Sequence, residues 1–82
     1  MPVPAQITMR QARLELLNIG KLNDVDAALA SIPNEHQRLS AQIEWEYSAI
    51  VERTAPLVQS LTPTLGLTDA EMDDLFRRAV LL

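Results

Sequence analysis

Thr68-Asp69-Ala70-Glu71-Met72-Asp73-Asp74-Leu75-Phe76-Arg77-Arg78-Ala79-Val80 is the stretch from which the fold is read. Thr68 followed three residues later by Glu71 is a capping box: the threonine oxygen takes an orphan amide of the first turn, and the glutamate reaches back to the threonine amide. Leu67 and Met72 stand in the staple positions on either side of that cap. Met72, Leu75, Phe76, Ala79 and Val80 then recur at i, i+3, i+4, i+7 and i+8, one apolar stripe of a helix. Acidic residues open the segment and two arginines close it, as the helix dipole favours. One face of this helix must be buried, and neighbouring helices have to bury it.

The residues upstream supply those neighbours. Gly66 suits the left-handed position that ends a helix, and Thr54 with Pro56 starts the one before it. Leu57, Val58 and Leu61 point inward there, and Pro63 predicts a kink or stop near Leu61 or Thr62. The longest helix is expected from about Asn34 to Arg53. Leu39, Ile43, Tyr47 and Ile50 share a narrow sector of it, while Trp45 lies nearly opposite, alongside Ala49 and Arg38. This helix therefore has two adhesive faces; it is sandwiched, or one face is an interface. A short helix precedes it, capped by Asn23, patterned by Val25, Ala28, Leu29 and Ile32, and ended by Pro33. The first helix runs from Met9 to about Ile19 behind a Thr8–Gln11 capping box, with Gly20 at its end and Leu22 expected at the apolar C″ position. Pro2 and Pro4 make residues 1–7 an extended arm. No segment alternates with period two, and no Asn-Gly or Asp-Gly turn joins β-rich runs. The expected fold is all-α: a single domain over residues 1–82, a compact bundle of four to five short helices joined by short loops.

Composition narrows the function. A hydrophobic fraction of 48% is too high for a disordered chain. With no cysteine, disulfide and thiolate-metal chemistry are out of reach. A domain this short without staples commonly gains stability from copies of itself or from a partner, so a homo-oligomer is expected. The net charge of −4, with arginines scattered along the chain, disfavours nucleic acid, which needs a basic patch. The longest apolar run, Ala79-Val80-Leu81-Leu82, is far short of the roughly 20 residues of a membrane span. The opening Met1-Pro2-Val3-Pro4 does not read as a secretion signal, so the expected location is the cytoplasm of a bacterial host, extending to a virion tail if the chain is built into one.

The inventory for catalysis is thin. His36 is the sole histidine and reads as a solvated surface residue beside Glu35. Asp69 and Asp73, at i and i+4, lack the further ligands that a divalent cation needs and read as a helix-start acidic cluster. There is no nucleophile elbow and no glycine-rich phosphate loop. No enzyme activity, metal or cofactor is expected. The helix–Gly–helix unit from Pro56 onward has the outline of a helix-turn-helix, but its second helix would aim carboxylates at phosphates. What remains is binding. Trp45 either fills a core gap or anchors an interface, and the interface is the expectation taken here, with Arg38, Ala49 and Arg53 flanking it. Leu81 and Leu82, at an apolar chain end, form the second candidate contact.

Ile7-Thr8-Met9-Arg10-Gln11-Ala12-Arg13-Leu14, Gln42-Ile43-Glu44-Trp45-Glu46-Tyr47, and Gly66-Leu67-Thr68-Asp69 through Asp74-Leu75-Phe76-Arg77 resemble a group of small proteins encoded in tail modules of bacteriophages and prophages, near the tail-fibre genes. The resemblance spans about residues 7–79. In that group the position of Met9 is commonly proline and that of Pro63 commonly alanine; the second departure implies a shorter or kinked fourth helix here. The resemblance implies a genomic setting and carries no catalytic residues. The expected function is thus a tail-associated accessory protein, structural or assembly-related, whose partner is a tail component or the chain itself. The alternative is a phage-encoded inhibitor that sequesters a host protein, since acidic surfaces can occupy basic sites.

Overall fold

The computed structural model describes residues 2–82. In chain order it contains β1 (Gln6–Thr8), α1 (Met9–Asn18), a single 3₁₀ turn (Leu22–Asp24), α2 (Val25–Ala30), α3 (Glu35–Tyr47), β2 (Ile50–Glu52), α4 (Pro56–Thr64) and α5 (Asp69–Ala79). The fold is mostly α, as expected, with one small sheet that was not.

Both capping boxes form. Thr8 Oγ1 accepts from the Gln11 amide at 3.0 Å while Gln11 Oε1 accepts from the Thr8 amide at 2.9 Å. Thr68 and Glu71 repeat the exchange at 3.1 and 3.0 Å. Asn34 caps α3 through the Gln37 amide, whereas Asn23 lies inside the 3₁₀ turn and α2 begins without a side-chain cap. The two glycines close α1 and α4 alike. Gly20 and Gly66 have φ of 76° and 75°, and the following amides, of Lys21 and Leu67, donate back to Leu16 and Thr62 at 2.8 and 2.9 Å. Each end is a Schellman motif. Its C″ residue after Gly20 is Lys21; Leu22 comes one residue later and packs against the core.

Three further expectations are corrected. α2 stops at Ala30, ahead of Pro33. α4 runs through Pro63 to Thr64, because the proline sits in the last turn, where a single missing amide is tolerated. The expected long third helix ends at Tyr47: Ser48 turns to extended geometry (φ −75°, ψ 135°), and its hydroxyl donates to the Glu44 carboxylate. Residues 50–52 become β2 and pair antiparallel with β1, Ile7 opposite Val51. Part of the proline-rich arm is therefore pinned in a sheet, with Ile7 and Val51 both buried.

α1 packs on α5, α2 on α4, and α3 on both α2 and α4. Phe76, Leu29 and Val25 are the most completely buried large side chains. The accessible surface of 4991 Å² is close to the ~4,900 Å² of a folded monomer of this mass. The core is closed, so apolar side chains left outside are uncovered by design of the packing and not by loose folding.

Candidate interaction surface

The face of α3 that looks most like a core stripe in sequence is the one that faces out. Leu39 is 49% exposed, Ile43 59% and Tyr47 78%, and Ile50 extends the line beyond the helix. Trp45, on the opposite side, is only 7% exposed. Trp45 is accordingly not a surface anchor. Its indole is covered by the Arg13 guanidinium, 4.0 Å from the ring centroid, and its carbonyl accepts a hydrogen bond from Arg13 Nη2. The helix presents one large side chain and the small Ala41 inward, which lets its backbone lie close to the core.

The residues expected to flank Trp45 turn out to hold the fold together. Arg38 Nη1 donates to the Ile32 carbonyl at 3.0 Å, satisfying an acceptor beyond the end of α2. The Ala49 carbonyl accepts from the Met9 amide at 2.8 Å, which supplies a partner to an orphan donor of the α1 N-terminus. Arg53 Nε meets Asp73 Oδ1 at 2.8 Å and its Nη2 reaches the Asp69 carbonyl at 3.2 Å, stapling the end of β2 to α5. Of the Asp69–Asp73 pair that contact takes the Asp73 carboxylate and only the backbone carbonyl of Asp69, and among the described residues no cluster of His, Cys, Asp or Glu is arranged to hold a metal. Leu81 and Leu82 are exposed, at 75% and 42%, while Gln11 Nε2 donates to the Val80 and Leu82 carbonyls. The chain end is held by its backbone and presents its side chains outward.

The exposed α3 stripe lines a groove of about 540 Å³ that is shared with Asp26 and Leu29 of α2 and edged by Gln42 and Glu46. Glu44 and His36 rim the other side of Ile43. Among the described residues, Asp26, Glu35, Glu44 and Glu46 form no ion pair. The floor of the groove is apolar and its rim is acidic. Aliphatic and aromatic side chains with nothing over them expose area whose burial is worth about 25 cal/mol per Å², and an amphipathic helix is the element that such a two-turn row of i, i+4, i+8 anchors accepts. Inside the protein, a void of about 30 Å³ between Trp45, Leu61 and Phe76 is lined by apolar side chains alone and has no polar partner for a water.

No helix among the described residues is long and apolar enough to cross a membrane. Comparison with family profiles, with curated proteins and with solved structures yields no match.

Proposed function

We propose that this chain is a non-enzymatic binding module of a bacteriophage tail, structural or assembly-related, whose docking face is the outer side of α3. The observation that carries the binding role is the uncovered row Leu39, Ile43 and Tyr47, contiguous on one helix of a fold whose core is closed. Large apolar side chains contiguous on one helix mark a contact surface more often than scattered single ones do. The tail setting is supported by the resemblance of residues 7–14, 42–47 and 66–77 to the small tail-module proteins. The second of those segments contributes Ile43 and Tyr47 to the stripe. The interface expected around Trp45 thus moves to the other side of the same helix.

The test is capture by the tagged protein from host cells producing the phage, alongside an Ile43→Arg variant. Recovery of tail components by the wild type, lost in the variant, supports the reading. Capture that survives Ile43→Arg removes the stripe from it, and capture of a host protein with tails assembling normally in its absence turns the case to sequestration, which the acidic rim would serve equally.

A further inference from the structure

We infer that the occupant of the α3 groove is a second copy of this chain, seated by the outer face of its α1. This rests on the stripe being a docking face, as proposed above, and names what docks there.

The groove asks for an apolar ridge with cations beside it, two helical turns long. Leu39 to Tyr47 rises ~12 Å at 1.5 Å per residue. Its rim carries the carboxylates of Asp26 and Glu46, with Glu44 and His36 beyond Ile43. A ridge of the required kind is present on the same molecule. Arg10, Leu14 and Leu17 stand at i, i+4 and i+7 on α1; Arg10 and Leu17 are exposed, Leu17 by 59%, and Leu14 between them is half-buried. Lys21 follows just past the end of that helix. From Arg10 to Leu17 the ridge is ~10 Å long, a match to the stripe.

The distribution of charge singles out this face. Arg13 lies on Trp45, Arg38 is bonded to the Ile32 carbonyl, and Arg53, Arg77 and Arg78 are paired with Asp73, Asp74 and Glu15. Among the described residues, Arg10 and Lys21 are the cations whose side chains make no hydrogen bond or ion pair. Among the described residues the unpaired cations are thus Arg10 on the α1 ridge and Lys21 just beyond that helix, and unpaired negative charge lines the α3 groove. Pairing the groove with itself would instead bring two carboxylate rims together. The contact is heterologous, two different surfaces meeting, so copies either add head to tail or close into a ring or a dimer of two such contacts. One contact of this length buries less than the ~800 Å² per partner of a standard interface, which makes each link weak and multiplicity important.

The test is molar mass by light scattering and sedimentation over a concentration series of the full chain, up to about 1 mM. The wild type is expected to gain mass with concentration and to lose it as salt screens the rim. Leu17→Glu and Ile43→Arg should each stay monomeric with unchanged helicity, while an equal mixture of the two forms a 1:1 pair, since one retains the groove and the other the ridge. Arg10→Glu and Glu46→Lys repeat the design with charge alone: each weakens association, and the mixture restores it. A wild type that is monomeric throughout overturns the inference, as does association that survives Leu17→Glu or a mixture that stays monomeric. Should the wild type be monomeric while Ile43→Arg still abolishes capture of a tail component, the docking face stands and only the self-contact falls. If that capture is also unaffected, the face itself is wrong.

Discussion

Replacing Trp45 by Ala removes an indole that is closed off by Arg13 on one side and the core on the other. Truncations of this kind cost about 3–5 kcal/mol, so Trp45→Ala should move the urea midpoint far down; a variant with a midpoint near the wild type would return Trp45 to the surface. Glu15 is the other side chain whose position is informative. It is buried, and its carboxylate depends on Arg78 Nε at 2.8 Å and a longer contact from Asn18. Arg78 is itself half exposed, which tempers the pair. Arg78→Met should cost about 1–2 kcal/mol by leaving a buried charge short of a partner, and adding Glu15→Leu to Arg78→Met should recover most of it, read with the Glu15→Leu single variant as a double-mutant cycle in urea. A helical projection shows at once that Trp45 and Ile43 lie on opposite sides. It does not show which side meets the core, because Trp45 with Ala41 and Leu39 with Ile43 and Tyr47 are both apolar pairs of sectors. The answer depends on how near α2 and α4 allow the helix to come, and that is tertiary information. Arg53 and Arg38 carried no sequence signal separating a surface arginine from one that ties elements together, since their acceptors lie 20 and 6 residues away.

The helices themselves were legible because their ends are written locally. Two capping boxes and two glycine ends require only residues within five positions of each other, and all four form. Gly20→Ala places a Cβ at φ 76° with free space around it, so the cost is backbone strain alone, about 1–2 kcal/mol, with Gly20→Asn expected to cost less. A thermal melt of the three proteins checks that order. Pro63 runs the other way. Within α4 it denies the Gln59 carbonyl its i+4 donor, so Pro63→Ala should add about 1 kcal/mol and a little far-UV helicity, the restored turn outweighing the lost rigidity of the unfolded chain. A lowered urea midpoint would show that the ring stabilises the Schellman turn at Gly66. β2 was invisible for a physical reason: three residues, Ile50–Glu52, are too few for a period of two to emerge, and Ile50 continues the helical spacing of Leu39, Ile43 and Tyr47. Only the partner strand more than forty residues away makes that segment extended.

Across the molecule, burial divides the apolar side chains into two sets with different expected behaviour. Phe76→Ala opens the centre of the core and should cost about 3–5 kcal/mol, a large share of the 5–15 kcal/mol typical of a folded domain. Ile43→Arg, on the outer stripe, should leave the stability of the dilute protein within about 0.5 kcal/mol. Parallel urea titrations separate the two outcomes, and a stripe variant that melts early would mean that Ile43 is held by its own chain. The joining of β1 to β2 and of α1 to α5 also governs the order in which the chain can become native. The first strand has no partner until residues 50–52 have been made, and α1 lacks its largest packing partner until α5 follows. Loop closure between such distant segments has to come before their contacts repay it. A nascent chain leaving the ribosome therefore carries the α5-facing side of α1 bare until the residues of α5, about sixty positions later, have been made.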